Sequence, residues 1–364
     1  MTHKQRDSRP PLYPPLGLCQ AEKGGNRAAQ LPPLPSRTQA KGGIQGGFQQ
    51  TEFLLTFAAA MHIPDGFLDS KTLITTGTLA AGGVGVAWKE AKSHIPPGRI
   101  PLLGMSAAFI FAAQMLNFPV AFGTSGHLIG SVLAAVLLGP GPAIIVMSTV
   151  LVVQCFLMAD GGMLALGANI FNMAIVGTVS GYGIYRIILL GMPGRTGIAI
   201  FAASWGSVVL ASLCCAGELA WSGAAPVTMV FPAMAGVHAL IGVGEGLITA
   251  AIYYAVRRVR PDLLDQSAGP AKPVLSTVLF GCIVAAGLVI FVLPFASKLP
   301  DGLEHVAHTL GFDQRAVNPQ APAGVPGTTE LVAGLVGLAL VFVLTVSLVR
   351  IATGKSHKHP PHSA

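Results

Sequence analysis

Charged side chains are scarce in this chain of 364 residues: 10% of residues are charged, whereas 52% are hydrophobic and the mean hydropathy is +0.65. A soluble globular domain carries roughly 25% charged residues. The deficit argues against an ordinary soluble protein. Apolar runs such as 102–116 and 143–158 approach the roughly 20 residues that a membrane-spanning helix needs. The solvent of this chain is therefore largely lipid.

Aromatic-rich alternating strands are also missing, which argues against a membrane β-barrel. The five cysteines show no spacing that pairs them with each other or with histidines. Most of them fall inside apolar runs, where a free cysteine behaves as a small hydrophobic residue. Neither a disulfide framework nor a zinc site is supported by Cys19, Cys155, Cys214, Cys215 and Cys282.

Two signatures of enzymes are absent from the sequence. A Gly-x-x-x-x-Gly-Lys-Ser/Thr phosphate loop does not occur, so the chain is not expected to hydrolyse ATP itself. The His-Glu-x-x-His pair of a metalloprotease does not occur either. These absences favour a transporter subunit over a membrane enzyme.

Hydrophobic runs predict nine helices after residue 60, and hence an all-α polytopic membrane protein. Gly and Ala are abundant in them, which suits close helix packing in a membrane. The third is short and flanked by glycine, as in a re-entrant segment. The predicted intervals are 71–88, 101–117, 126–138, 143–159, 165–190, 197–221, 233–256, 276–296 and 330–350.

Basic residues between these helices predict their direction, because cytoplasmic loops carry an excess of Lys and Arg. If the helices alternate, one side receives Lys89, Lys92, Arg99, Arg186, Arg195, Arg257, Arg258, Arg260, Lys272, Arg350, Lys355 and Lys358. The other side receives only Lys71, Lys298 and Arg315. This asymmetry predicts a chain in the plasma (inner) membrane, with Met61 outside and the C-terminus in the cytoplasm.

The first sixty residues differ in composition from the rest. Residues 1–52 are rich in Pro, Gly, Gln and basic side chains and are expected to be disordered. Ala58 and Ala60 form a small-x-small pair before Met61, as at a signal-peptidase site. Cleavage there, or initiation at Met61, would both start the mature chain at Met61; an intact disordered tail is the alternative. Without residues 1–60 the chain keeps 15 basic and 12 acidic residues, a net charge of +3, so nucleic acid is not an expected partner.

A chain that begins at Met61 would carry a compact set of metal donors. The α-amine of Met61, the amide nitrogen of His62 and its imidazole can close chelate rings around one cation. His127, after a Gly/Ser turn on the same outer face, would add a fourth nitrogen. Such a planar nitrogen set suits Ni(II) and tolerates Co(II), which makes these ions the expected cargo. Because the amide must lose its proton, binding should weaken in acid.

Several other polar residues are expected near this site or along the path of the ion. Asp65 either orients an imidazole or caps a turn. Asn117, Ser125 and Asp160 are predicted on the outer face. His238 and Glu245 lie seven residues apart and share a face of the seventh helix.

Glu245 stands deep in that helix and needs a partner or a proton. Hydrogen bonding between helices is one role for this carboxyl group. A place on the ion path is the other, and it supports an alternative function: a proton-coupled secondary transporter of divalent metals. Asn169 and Asn172 are expected to hydrogen-bond between helices.

Four motifs together resemble the CbiM/NikM family, the substrate-capture membrane subunits of energy-coupling factor transporters for cobalt and nickel. They lie at 61–68, at 123–130, at 159–173 and at 238–246. The resemblance covers about residues 61–260 and implies a seven-helix bundle whose N-terminal loop carries the metal. It implies Met61, His62 and His127 as ligands. It further implies separate ATPase subunits and a coupling transmembrane subunit as partners, with no bound cofactor.

The C-terminal part, with Pro300-Asp301-Gly302-Leu303-Glu304 between two helices, looks like the small accessory subunit of the same systems. It predicts a fusion in which two helices follow the seven-helix bundle. His305 and His308 either help to deliver metal or belong to an exposed polar loop. The expected division is 1–60 prefix, 61–260 metal-capture domain, 261–275 linker, 276–352 accessory module and 353–364 histidine-containing tail.

Overall fold

The computed structural model describes residues 62–264, 274–317 and 330–354. Met61, the prefix, most of the predicted linker and the histidine-containing tail lie outside the described residues. Within the described part, helices account for all regular structure except a pair of two-residue strands. The predicted all-helical fold class is therefore confirmed in its coarse form.

Eleven α-helices are present in the described part of the chain. They are α1 (Ser70–His94), α2 (Ile100–Gln114), α3 (Ser131–Leu138), α4 (Pro140–Met158), α5 (Leu166–Asn169), α6 (Gly177–Gly191), α7 (Thr196–Trp221), α8 (Val227–Val259), α9 (Val274–Gly287), α10 (Gly302–Leu310) and α11 (Glu330–Gly354). A π-helical turn, Ile170–Val176, joins α5 to α6, and a second one, Leu288–Val292, extends α9.

The expectation of nine spanning helices needs correction. In the described ranges, six helices are long and apolar enough to cross a membrane, or seven if α1 and α2 are counted as one bent span. Every predicted interval contains a helix, but α3 has only eight residues and extends about 12 Å. It cannot cross a hydrocarbon core of about 30 Å, so α3 is a half-length helix inside the bundle.

The helix α4 lies at the centre of the molecule. Nearly all its side chains are buried, and it packs against α1, α2, α3 and α11. Gly139, with φ of 92°, precedes it, and Ala159, with φ of 53°, ends it. Around this centre, α6 packs on α7 and α7 on α8.

The two long C-terminal helices share the core of the bundle. Both α9 and α11 pack on α2, and Val341 and Val349 of α11 belong to the same buried cluster as the core of α4. Contact is close, since a Cβ atom added at Gly104 would lie 2.6 Å from Val346 Cγ2 and 3.0 Å from Phe342 Cδ2. Small residues therefore bring α2 and α11 together, as is common in membrane bundles.

Four separate segments meet at one end of this bundle. The strands Phe118–Pro119 and Ser125–Gly126 pair antiparallel after α2. The amide nitrogen of Ser125 donates to Pro300 O at 2.8 Å, Gly162 donates to Ile63 O at 2.9 Å, and Val317 donates to Asp65 O at 2.8 Å. The start segment (62–69), the α2–α3 connection (115–130), the turn after α4 (159–165) and the C-terminal segment (297–317) thus form one layer.

Candidate metal centre

Two hydrogen bonds between Ile63 and Asn169 fix the start segment. The amide of Ile63 donates to Asn169 Oδ1 at 2.7 Å, and the carbonyl of Ile63 accepts from Asn169 Nδ2 at 3.2 Å. The Ile63 side chain is buried in the cluster that contains Phe67 and Leu68. Asn169 therefore holds residue 63, and with it His62, against the N-terminal turn of α5.

Asp65 serves as a backbone cap and does not orient an imidazole. Its carboxylate accepts hydrogen bonds from the amides of Met163, Leu164 and Ala165 at 2.9–3.1 Å, where α5 begins. Of the two roles expected for Asp65, the structure therefore has the capping one, because the three unpaired amides at a helix start attract this carboxylate. Gly162 makes the approach possible, since any Cβ atom there would collide with Asp65.

His62 is oriented by Asp160. Its Nδ1 lies 2.9 Å from Asp160 Oδ1, and the residue is 3% exposed. With Nδ1 directed at a carboxyl oxygen, the lone pair of a neutral ring resides on Nε2, which is buried and has no hydrogen-bond partner among the described residues. A carboxylate on the far nitrogen is the usual arrangement behind a metal-binding histidine.

His127 presents the same free nitrogen. Its Nδ1 lies 3.0 Å from Leu128 O, and because a carbonyl oxygen only accepts, Nδ1 carries the proton. Nε2 is buried without a partner in the described structure. Burial first, and then the neighbouring His62, lowers the pKa of His127 to about 4. The ring is thus neutral at ordinary pH, which is the form that binds a metal ion.

The connection that carries His127 is anchored by Glu245 of α8. Both carboxylate oxygens of Glu245 accept backbone hydrogen bonds, Oε2 from Ile129 at 2.7 Å and Oε1 from Gly130 at 3.0 Å. Gln114 adds a third bond, from Nε2 to Ile129 O at 2.7 Å. Sequence reasoning missed Gln114, although an amide at the end of an apolar helix is a signal for such a role.

The imidazole rings of His62 and His127 are stacked and nearly parallel. Their ring centroids are 6.3 Å apart and their planes differ by 9°. Within residues 62–264, 274–317 and 330–354, no three His, Cys, Asp or Glu side chains converge on a common point. Side chains alone therefore supply two nitrogens here, and any further donors must come from the backbone or from Met61, which lies outside the described residues.

His238 belongs to a different contact. Its Nδ1 lies 2.8 Å from Met234 O, and its fully buried Nε2 has no partner in the described ranges. A Cβ atom added at Gly302 would lie 2.8 Å from His238 Nε2. This ring therefore packs beneath the start of α10.

Asn117 and Ser125 bind the C-terminal segment. The carbonyl of Asn117 accepts from the amide of Ser297 at 2.8 Å, and Ser125 Oγ donates to Leu299 O at 2.7 Å. The stretch from Asp301 forms the helix α10, so the expectation of an exposed polar loop is wrong. A capping box starts it, with Asp301 accepting from Glu304 N and Glu304 accepting from Asp301 N.

The carboxyl groups of this capping box lie near the imidazole site. Burial, then the charge of Glu304 and to a smaller degree that of Asp160, raises the pKa of Asp301 well above its usual range. Burial also raises the pKa of Glu304, and Asp160 again contributes. Asp160, Asp301 and Glu304 therefore interact electrostatically, although they come from distant parts of the sequence. His305 is half-buried and His308 is exposed on the same helix.

Comparison with known proteins identifies relatives of this chain. The profile of the CbiM family, described as cobalt uptake substrate-specific transmembrane region, matches residues 62–263. A protein of Archaeoglobus fulgidus that carries the provisional name fused nickel transport protein NikMN is 35% identical over 304 residues. That match covers 80% of this chain and 99% of the relative, which is more of the chain than the family profile covers.

Two further matches bear on the fold. The fused nickel transport protein NikMN of Rhodobacter capsulatus is 33% identical over 58% of this chain and 66% of its own length. A crystal structure described as a truncated transition metal transporter has a TM-score of 0.50 and 31% identity, and the match covers 54% of this chain and 99% of that one.

Proposed function

Because this chain belongs to the CbiM family of cobalt uptake substrate-specific transmembrane regions, we propose that it captures Ni(II) or Co(II) at the end of the bundle where His62 and His127 meet. The chain is a multi-pass cobalt or nickel uptake component and not an enzyme. The place of capture, the metal ligands and the direction of transport go beyond family membership and are proposed here.

The observation that carries the proposal is the pair of buried, unpartnered Nε2 atoms on two nearly parallel rings. A buried nitrogen without a partner has a free-energy cost of about 1–3 kcal/mol, and a bound metal ion would remove that cost at both rings. Asp160 behind His62 and Glu245 behind the His127 connection hold the rings in place. We propose that the α-amine of Met61 adds a third nitrogen. The amide of His62 completes the planar set only if the imidazole turns so that Nδ1, which faces Asp160 here, binds the metal, because Nε2 and the amide of one histidine cannot reach the same ion.

The proposed orientation places this end outside the cell. Arg99 lies at the start of α2 and Arg257, Arg258 and Arg260 at the end of α8, away from the site layer. Lys71 at the start of α1, and Lys298 and Arg315 in the segment 297–317, lie in or beside that layer. Since the chain has no phosphate loop of its own and belongs to the CbiM family, we propose separate ATPase subunits and a coupling transmembrane subunit as partners. We further propose that α1 to α8 form the seven-helix capture bundle, with α5, its π-helical turn and α6 counted as one helix and α3 as the half-length member. Residues 276–352 then form the accessory module.

The metal content of purified variants tests the ligand assignment. His62→Ala and His127→Ala are each expected to lose bound nickel, because each removes one of the two side-chain nitrogens. His308→Ala, on the exposed face of α10, is the matched control and should retain it. Metal per chain is measured by plasma mass spectrometry after dialysis. A full complement of nickel in both alanine variants contradicts the assignment.

The mass of the purified chain tests the role of Met61. An α-amine exists at Met61 only if residues 1–60 are absent from the functional protein, so intact mass should match a chain that begins there. A chain that retains the prefix should bind nickel weakly, because one donor is lost. Tight stoichiometric binding by a chain of all 364 residues would refute the amine as a ligand and leave the two imidazoles.

A further inference from the structure

His238 of α8 carries a third buried nitrogen lone pair, in addition to those of His62 and His127. Its Nδ1 faces the carbonyl oxygen of Met234, which only accepts, so Nδ1 carries the proton and the lone pair is on Nε2. The side chain is wholly buried, and Nε2 has no hydrogen-bond partner among the residues that the structure describes. Buried polar atoms in proteins normally have a partner, so this nitrogen is a candidate for binding a ligand.

His238 lies next to the connection that carries His127. Ile241, one helical turn further along α8, packs on the strand before His127, since a Cβ atom added at Gly126 would lie 2.6 Å from Ile241 Cγ2. His238 and Ile241 both pack on Gly302, where an added Cβ atom would lie 2.8 Å from His238 Nε2 and from Ile241 Cδ1. His127 and His238 are also close enough for their charges to interact. His127 therefore has His62 as one imidazole neighbour and His238 as another.

A carboxyl group lies beside His238 as well. Asp301 directly precedes Gly302, which contacts the His238 ring, and it is buried. Asp301 also interacts electrostatically with Asp160, which holds His62. Because burial and then Glu304 raise the pKa of Asp301 well above its usual range, a nearby cation would stabilise its charged form. This region therefore suits a positive ion.

We propose that His127 and His238 form a second binding position for the transported divalent ion, which the ion occupies after it leaves the start segment. This inference rests on the capture site proposed above. The coordinate bonds between the ion and the start segment break, and one to His238 Nε2 forms, while His127 stays bound. His238 releases no proton, because its Nε2 is already unprotonated, and an amide that had lost its proton regains one from water.

The second position should bind the ion weakly. Two imidazoles are its only side-chain ligands, since His, Cys, Asp and Glu side chains form no group of three suited to a metal ion within the described ranges. Weak binding has a function here, because a transported ion must be able to leave each site that it occupies.

Nickel titration of the purified full chain, followed by calorimetry, tests this position. His238→Asn keeps an N–H group for Met234 O but lacks the nitrogen lone pair, so it should bind nickel at the capture site as the wild type does. His62→Ala breaks the capture site and should retain one site that is at least about tenfold weaker. The double variant with His62→Ala and His238→Asn should lose that weak site.

The tail histidines must be removed from this comparison, because they can bind nickel themselves. His357, His359 and His362 are therefore replaced by alanine in every protein titrated. A residual site of equal strength with and without His238→Asn, or no residual site in His62→Ala, overturns the second position. Full nickel in His62→Ala after dialysis contradicts the capture site instead, so the two failures are distinguishable.

Uptake of radioactive nickel separates transfer from capture. In cells that produce the full chain with its ATPase and coupling subunits, His238→Asn should slow uptake by at least about tenfold, although its equilibrium binding is unchanged. His308→Ala, on the exposed face of α10, is the control and should transport as the wild type does. Wild-type uptake in His238→Asn would show that His238 has only a structural role.

Discussion

At the scale of single residues, the imidazole of His62 is held by Asp160 and not by Asp65. From the sequence, capping was the favoured role of Asp65, and Asp160 was predicted only on the outer face. Its contact with His62 was not predicted, because 98 residues separate the two in the chain. The role of Asp65 depends on where α5 begins, because the free backbone amides at the start of that helix bind its carboxylate. The sequence did predict that His62 and His127 lie on one face, and their ring centroids are 6.3 Å apart; their role as metal ligands stays a prediction.

Replacing Asp160 by Asn should weaken metal binding by about 10–100-fold, the usual effect of losing the carboxylate behind a ligating histidine. The amide still accepts a hydrogen bond from His62, so the fold should persist, but the ring loses the charged acceptor that fixes its orientation. Nickel affinity is measured by competition with a chelator. Glu330→Gln, which removes a charge at the exposed start of α11, is the control, and an equal affinity in both variants would contradict the role.

Glu245 gives a second residue-scale prediction. Glu245→Gln replaces one acceptor by a donor that faces a backbone amide, so Ile129 or Gly130 loses its partner at a cost of about 1–3 kcal/mol. We expect a lower Tm together with weaker nickel binding, because the connection that carries His127 loosens. A proton-coupled transporter predicts another result: unchanged binding and Tm, with uptake lost and no need for ATPase subunits.

At the scale of elements, hydropathy predicted where the long helices lie but not every helix. Predicted intervals such as 197–221 and 330–350 agree closely with α7 and α11, because an apolar run in lipid has few options other than a helix. The helix α10 was missed since its sequence is mostly polar or small, and only the Asp301–Glu304 capping box marks its start. The interval for α3 began too early, because 126–130 forms a strand residue and an irregular turn held by Glu245.

The contact between α8 and α10 yields an element-scale prediction. Gly302→Ala should loosen α10 by about 1–3 kcal/mol, because its Cβ atom would lie 2.8 Å from both His238 Nε2 and Ile241 Cδ1. Hydrogen exchange should become faster along α10 while α7 stays protected. Gly287→Ala in α9, where a Cβ atom meets nothing within 4 Å, serves as the control. Unchanged exchange in Gly302→Ala would show that this contact does not hold the helix.

At the scale of the whole molecule, the C-terminal helices extend the core of the bundle. The resemblance predicted a fusion but carried no information about packing, which depends on close fits such as Gly337 against the ring of Phe111. In the same layer, the start segment and the C-terminal segment are joined, since Val317 donates to Asp65 O. Movement of the segment 297–317 is thereby mechanically linked to the loop that carries His62.

The central position of α4 has a consequence for its surroundings. Its apolar sequence would identify it as a lipid-facing helix, yet 83% of its most apolar window is buried inside the protein, against 17% for α9. A carbene reagent dissolved in the bilayer should therefore modify α9 heavily and leave α4 almost unmodified, as peptide mass mapping would detect. Among the candidate spans in the described residues, α4 is the most enclosed and is surrounded mainly by protein. Substitutions along it should therefore be tolerated as they are in the core of a water-soluble protein, where a change in side-chain volume lowers stability.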